Sequence, residues 1–359
     1  MPAAEERAAR IRLGWPDVGA EELEAVAEVL ESGQLTMGPA VAELEALLAR
    51  ACGTEHAVAV SSGTAALHLA VLALGLAPGD EVLVPAYTFP ATANVVTLAG
   101  LKPVLVDVDP ETMNVDPARI DAGPRTKAIM PVHLFGRPAR IEELPEGLTV
   151  VEDAAGALGA SRRGRPCGSM GLAGCLSFHP RKIVATGEGG AVVTDDERVE
   201  ATVRQLRHHG WRPPAYDEMP VPGFNYRMPD VLCALGIPQV RRLEELRSRR
   251  ERIAAGYAER LRDLPVLLPA ADEGDVHGWQ AYVIQVERRD EVLAGLRARG
   301  IEAQIGTWAL HVLGAYRDQG FFPGAEHAFE HALALPFHTR LTEPELDRVA
   351  EALALHLQR

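Results

Sequence analysis

Only three of the 36 basic residues in this chain are lysine: Lys102, Lys127 and Lys182. An arginine offers no neutral amine, because its guanidinium stays protonated. Any amine chemistry therefore falls to those three. Lys102 and Lys127 each sit beside a strand start and read as ordinary surface lysines. Lys182 lies in SFHPRKIVATGEGGAVVT (177–194), where a strand ends at Ser177-Phe178 and Gly187, Gly189 and Gly190 loosen the backbone that follows. A lysine projecting from such a loop can lose its proton through burial or a neighbouring cation, and then attack a carbonyl.

Three further segments could serve that amine. In VSSGTAALHLA (60–70) a strand runs through Ser-Ser-Gly-Thr into a helix. Free N–H groups at that helix start suit an anion, Gly63 permits close approach and Thr64 offers a hydroxyl. Serine and threonine are also plain helix caps. In VVEDAAGALGA (150–160) a buried strand ends in Glu152-Asp153 before small residues. Asp153 either caps the next helix or holds a proton on the ring nitrogen of a flat ligand, and the two readings weigh equally. In PAYTFPATAN (85–94), Tyr87 and Phe89 follow a strand end, where one could stack on a ring, although a core role is commoner for any single aromatic. Amine, anion site, acid and stacking ring together describe pyridoxal 5'-phosphate, whose protonated ring absorbs the electrons of a carbanion.

The elements that must carry these residues alternate. Strand candidates AVAV (57–60), EVLVP (81–85), PVLVDVD (103–109), KAIMPV (127–132) and TVVED (149–153) are interleaved with helix-like stretches such as TAALHLAVLAL and ATANVVTLAG. CLSF (175–178) and GAVVT (190–194) add a hairpin-like pair. This pattern predicts an α/β fold with a mainly parallel sheet flanked by helices and ligands at the carboxyl ends of its strands. A helical pattern from Pro229 to Leu264 is expected to break near Pro238, and its alternating Glu and Arg suit a solvated helix. After Pro265 a strand (280–286), a helix ending in glycine and a capped terminal helix predict a smaller α+β unit. The expected organisation is a large cofactor-binding domain over 1–240 and a small C-terminal domain over 241–359.

With 359 residues, 47% hydrophobic and 24% charged, the chain is neither disordered nor fibrous. A net charge of −14 disfavours nucleic acid. Four dispersed cysteines without a C-x-x-C pair read as reduced thiols of a cytoplasmic protein. The stretch MPAAEERAARIRLGWPD lacks the apolar core of a signal peptide, and no apolar run reaches the ~18 residues of a membrane span. HAFEH (327–331) fits a short zinc signature but falls in a helix-like stretch far from the glycine-rich loops, so no metal is expected. His208-His209 before Gly210 reads as a helix end. GEGG is no phosphate P-loop, and no dinucleotide fingerprint follows a strand.

ESGQLTMGP (31–39), SSGTAALHLA, PAYTFPATANVVTLAGLKPVLVDVDPETMNVDP, TKAIMPVHLFG, VVEDAAGALGA, SFHPRKIVATGEGGAVVTDD and GFNYRMPDVLCALGIPQVRRL occur in order along nearly the whole chain. Through them it resembles the DegT/DnrJ/EryC1/StrS family of sugar aminotransferases, fold-type I pyridoxal-phosphate enzymes. The resemblance implies that Lys182 is the Schiff-base lysine and proton shuttle and Asp153 the ring-nitrogen partner. It implies a phosphate cradle of Ser177, Gly63 and Thr64, and a stacking ring at Phe89. Asn225 matches an asparagine that reaches the phosphate of a neighbouring subunit, so a homodimer with shared sites is implied. Gln34, Leu35 and Thr36, with Gln304 and Thr307, match segments on the sugar side, and Arg227 matches a contact to a substrate carboxylate. The implied partners are L-glutamate and a nucleotide-linked keto sugar. FHPRK, TGEGG and FNYRMPD are nearest to the branch that aminates C4 of 4-keto-6-deoxy sugars, such as perosamine synthases. An aminocyclitol or other ring ketone, or a non-catalytic cofactor-binding regulator, are the alternatives. A dehydratase of the same family is disfavoured, because it carries His in place of the lysine and needs a cluster-binding cysteine set. The sequence departs at Gly156, where many members carry a side chain, often Gln, that reaches the ring hydroxyl; Leu158 replaces a frequent His.

Overall fold

The computed structural model describes residues 10–357 apart from 213–216 and 318; residues 1–9 of the N-terminal stretch read for a leader lie outside that range. Seven strands make the main sheet: β1 (His56–Val60), β2 (Glu81–Pro85), β3 (Lys102–Val106), β4 (Thr126–Ile129), β5 (Thr149–Asp153), β6 (Ala173–Ser177) and β7 (Gly190–Thr194). Their order is β1–β7–β6–β5–β4–β2–β3. Pairing is parallel except where β7 runs against both β1 and β6. The fold is therefore α/β with a mainly parallel sheet, and the expected hairpin-like pair is β6–β7. Strands buried on both faces read as continuous apolar runs; Val58, Leu83, Ile129, Val151, Leu176 and Val192 are all fully buried.

Helices cover both faces: α1 (Ala20–Ser32), α2 (Pro39–Cys52), α3 (Gly63–Ala73), α4 (Ala91–Leu98), α5 (Glu197–Leu206), α6 (Asp230–Arg241) and α7 (Leu243–Leu261). Leu69, Val95 and Val203 pack with Val58 and Val60 on one face, while Leu44, Leu48 and Ile237 pack with Ala57 and Ala59 on the other.

Several boundaries differ from the sequence reading: CLSF (175–178) is observed as Ala173–Ser177 and the strand read over 280–286 as Tyr282–Gln285, and three further differences have clear causes. Strand β3 stops at Val106, because the Asp107 carboxylate turns to accept the N–H groups of Gly324 (3.0 Å) and Ala325 (2.9 Å). Strand β4 stops at Ile129, although Met130 N–H still donates to Leu83 O (2.9 Å). Pro238 does not break its helix. It lies inside α6, where the Gln239 side-chain amide donates to Leu235 O (2.7 Å), a carbonyl in the turn that proline disrupts. The break falls at Arg242, whose guanidinium is drawn to Asp17 (3.0 Å) and Glu22 (2.6 Å).

Beyond α7 a second sheet, β8 (Tyr282–Gln285), β9 (Gln304–Ile305) and β10 (Ala332–Leu335), runs antiparallel in the order β8–β10–β9. It shares an apolar cluster of Tyr257, Tyr282, Ile284, Leu333 and Leu353 with α7, α8 (Arg289–Ala298) and α10 (Glu343–Leu357). Thr342 caps α10, its N–H and hydroxyl both donating to Glu345 (2.9 Å each). The HAFEH segment lies in α9 (Pro323–His331), where the His327 and His331 rings stack at 4.1 Å. Among the described residues no group of three or more His, Cys, Asp and Glu side chains is placed to hold a metal ion. The four cysteines are buried and free. No described helix is long and apolar enough to cross a membrane.

Candidate active site

Strand alternation sends the two acids at the end of β5 to opposite faces. The Glu152 carboxylate accepts hydrogen bonds from His133 Nε2 (2.8 Å) and from the N–H groups of Gly168 (2.7 Å), Met170 (2.5 Å) and Gly171 (2.6 Å). Ala139 N–H donates to His133 Nδ1 (2.9 Å), which puts the imidazole proton on Nε2, facing Glu152. Burial alone would raise the Glu152 carboxyl, but these donors hold it below its ordinary range. Glu152 thus ties the end of β5 to the two loops around it.

Asp153, buried, turns the other way. Its Oδ2 accepts from Thr92 Oγ1 (2.7 Å) at the start of α4, and its Oδ1 accepts from Ala155 N–H (3.1 Å). Burial raises its pKa, against Thr92, the Ala155 amide and the positive charge of Lys182. A turn, not a helix, follows Asp153, so its own-chain capping is limited to one amide, and its remaining contacts face inward.

Lys182 stands in the loop joining β6 to β7. That loop is pinned at three levels: Phe178 N–H to Gly189 O (2.9 Å), Thr186 N–H to Phe178 O (2.9 Å), and a two-way amide pairing of Gln239 with Ala185 (2.9 Å each). Gly189 has φ 154°, and a Cβ there would lie 2.7 Å from Met228 and Thr186 atoms, so only glycine fits. Burial pushes the Lys182 ammonium down to about 8, Asp153 opposes that shift, and the Arg181 and Arg250 charges add to it. Arg250 is buried on α7 and donates to Trp279 O (2.9 Å), Gln280 O (3.2 Å) and Lys182 O (3.4 Å). A lowered amine is the neutral nucleophile at mildly alkaline pH. Addition of an aldehyde to the cofactor-free protein should therefore speed up as pH rises from 7 to 9, with a midpoint of about 8. Stopped-flow absorbance reads this directly; a rate still rising about tenfold per unit between pH 8 and 9.5 would mean an unperturbed lysine.

The anion corner forms where α3 meets the end of β6. Ser62 is the cap of α3, its Oγ accepting from Ala65 N–H (3.1 Å). Gly63 follows, and a Cβ on it would fall 2.7 Å from Ser177 Cβ. The helix start can press against Ser177 only because residue 63 has no side chain. Thr64 is exposed beside it.

The structure thus brings Lys182, Asp153, Gly63, Thr64 and Ser177 to the carboxyl ends of neighbouring strands. Arg227 reaches the same edge, bridging Val60 at the end of β1, with its guanidinium against His208 Nδ1. Phe89 is 64% exposed, whereas Tyr87 is buried and its hydroxyl accepts from Thr307 N–H (3.0 Å). Thr307 is thereby buried against Tyr87, while Gln304 lines a cleft of about 490 Å³ with Arg10, Arg181 and Arg297. Gln34 and Leu35 are exposed, and Thr36 pairs with Pro229 beside Asp230, whose carboxylate holds Gly38 N–H (2.7 Å) and Ala40 N–H (3.1 Å) at the start of α2. Asn225 is exposed, its backbone bridged to His208, and no hydrogen bond among the described residues joins it to Lys182, Asp153 or Ser177. Sequence reasoning missed Thr92, His133 and Arg250. Thr92 was within the quoted helix start, but nothing local marks its bond to a residue 61 positions away.

A sequence model of the DegT/DnrJ/EryC1/StrS aminotransferase family matches residues 16–354. The chain belongs to that family. The aminotransferases of this family are pyridoxal-phosphate enzymes, and they include enzymes acting on sugars. Solved structures agree. The aminotransferase TlmJ from Streptoalloteichus hindustanus is 33% identical over 97% of this chain and 99% of its own, with a TM-score of 0.93. DesI, solved in the presence of its TDP-sugar product, is 36% identical over 98% of this chain and 94% of its own, with a TM-score of 0.92. DesV from S. venezuelae, solved with a ketimine intermediate, is 35% identical over 100% and 96%, with a TM-score of 0.90.

Proposed function

We propose that this protein transfers an amino group from L-glutamate to a keto sugar carried on a nucleotide, a 4-keto-6-deoxy sugar in the best-fitting case, using pyridoxal phosphate. The observation that carries the reading is the facing pair of Lys182, an amine lowered to about 8, and buried Asp153. The residues present suit that cofactor. The close approach of Gly63 to Ser177, which a Cβ at 63 would block by clashing with Ser177 Cβ, sets the start of α3 and its N–H groups beside the Ser177 hydroxyl, where a phosphate would sit. Asp153 has one oxygen on Thr92 and one on Ala155, and each carboxylate oxygen keeps a second lone pair for a ring N–H.

When bound, the cofactor supplies an electron sink for the carbanion formed at the amino-acid carbon. In this reading Lys182 holds the cofactor through Nζ and, once released, moves the proton between substrate carbon and cofactor. Asp153 keeps the ring nitrogen protonated, and the Thr92 hydroxyl fixes the orientation of its carboxylate. Gly63, Thr64 and Ser177 bind the phosphate, Phe89 covers the ring, and Asn225 from a second copy completes the cradle. Exposed Phe89, Leu35, Met37 and Trp308 supply apolar surface for such a homodimer. Arg227 is assigned to the amino acid's carboxylate, and Gln34, Leu35, Thr36, Gln304 and Thr307 to the sugar side.

A phosphate-bearing acceptor is supported by the cleft that holds Arg181 and Arg297, since Arg181 is the residue before Lys182; Arg10 in the same cleft is paired with Glu302 (2.9 Å). DesI, with its TDP-sugar product, supports a nucleotide carrier. Arg181→Ala is expected to raise KM for the nucleotide sugar about tenfold, the ~1.5 kcal/mol of one charged hydrogen bond. KM for glutamate should not change, and separate half-reaction kinetics check this. The substrate itself is tested by incubating holoenzyme with glutamate and a panel of nucleotide-linked keto sugars, then reading products by mass spectrometry. Amination of an aminocyclitol ketone but of no nucleotide sugar would overturn the acceptor; absence of 2-oxoglutarate would overturn the donor.

A further inference from the structure

Gly156 lies in the turn that follows Asp153, and the space beside it is not empty. A Cβ built on Gly156 would meet Gln280 Oε1 at 3.3 Å, Cγ at 3.4 Å and Cβ at 3.5 Å. The Gln280 side chain therefore occupies the volume that a side chain at 156 would enter. Its backbone is clamped from two sides: Gln280 N–H donates to Phe135 O (3.0 Å), and Arg250 Nη1 donates to Gln280 O (3.2 Å) while Nη2 of the same guanidinium reaches Lys182 O (3.4 Å). One side chain thus spans from Gln280 to the Lys182 backbone. The fit is tight on every side. A Cβ on Gly136 would lie 2.8 Å from Trp279 N and 3.0 Å from Gln280 N, and one on Gly278 would lie 3.2 Å from Ala160 Cβ. Glycines at 136, 156 and 278 let the irregular segment 278–280 press onto the Asp153 turn. Among the described residues the Gln280 carboxamide has no hydrogen-bond partner of its own, although both its backbone groups are satisfied.

We infer that the Gln280 carboxamide, seated over Gly156, is a cofactor contact that donates a hydrogen bond to the ring hydroxyl oxygen. The inference rests on the cofactor assignment above: Lys182, Asp153 and the Gly63–Ser177 corner take the imine carbon, the ring nitrogen and the phosphate, and the ring oxygen is the polar group left. A carboxamide NH₂ donates to that oxygen when it is ionised, and so favours loss of the imine proton that the oxygen shares.

The test is a pH titration of the visible absorbance band of reconstituted holoenzyme. Gln280→Ala should raise the titration midpoint by about one pH unit, as loss of a charge-assisted hydrogen bond does. Gln280→Glu, which keeps the shape and reverses the donor, should raise it further. Gly156→Gln combined with Gln280→Ala should bring the midpoint back toward the original value, because the new amide enters the vacated space. Midpoints of Gln280→Ala and Gln280→Glu equal to that of the unaltered protein would overturn the inference. Absence of any visible band in the unaltered protein would instead overturn the cofactor assignment, so the two failures are distinct.

Discussion

Replacing Lys182 with alanine is expected to lower transamination by about 10²- to 10⁴-fold, the contribution of a positioned proton-transfer group. The residue acts twice in the proposed reaction, as the amine that holds the cofactor and as the base that moves the proton, and no other lysine can substitute. Lys102 is exposed and paired with Glu81 (3.0 Å), and Lys127 is exposed and donates to Pro124 O (2.9 Å). The fold should survive, because the loop is pinned by Phe178–Gly189 and Gln239–Ala185 backbone contacts and not by the Lys182 side chain. Lys182→Arg should be as inactive as Lys182→Ala, since a guanidinium keeps its proton. A small primary amine should restore part of the Lys182→Ala rate and none of the Lys182→Arg rate. Coupled 2-oxoglutarate detection reads all of these; turnover of Lys182→Ala within a fewfold of the unaltered enzyme would remove Lys182 from the mechanism.

Asp153→Asn carries the second large effect. Asparagine keeps the shape, but it removes the charge that balances a protonated ring nitrogen in a buried place. Breaking a buried charge pair costs about 3–5 kcal/mol, or about two to four powers of ten in rate. Cofactor stoichiometry should stay near one per chain, because the phosphate corner at Gly63 and Ser177 is untouched. The loss should therefore appear in kcat and not in cofactor content. The variant should also speed capture of aldehydes by Lys182 near pH 7, because burial and the Arg181 and Arg250 charges depress that amine while Asp153 supports its charged form. With Asp153 neutralised, the aldehyde-capture midpoint should move below about 8. A kcat within threefold of the unaltered enzyme would contradict the ring-nitrogen role.

The elements that position the site were largely legible in the sequence, for a physical reason. Strands buried on both faces leave unbroken apolar runs, so β1, β2, β5 and β7 appeared as AVAV, EVLVP, TVVED and GAVVT close to their observed bounds. Lys182 stood out because lysine is scarce in this chain. What the sequence hid depends on contacts between distant segments. Pro238 reads as a breaker because proline lacks an N–H, yet the Gln239 side-chain amide holds Leu235 O in the same turn and the helix continues. Strand β3 ends early because Asp107 is claimed by the start of α9, more than two hundred positions away. Thr92, His133 and Arg250 carry no local signature; each matters through a partner that only the folded chain supplies. Gln280 is the clearest case, since nothing in VHGWQAYVIQV connects it to Gly156.

Borohydride reduction of the purified, cofactor-loaded protein, followed by proteolysis and peptide mass mapping, tests the covalent link on which the rest depends. A phosphopyridoxyl group on Lys182, with none on Lys102 or Lys127, is the expected result. Label on either of those two residues, or no label on protein reconstituted with excess pyridoxal phosphate, would contradict it.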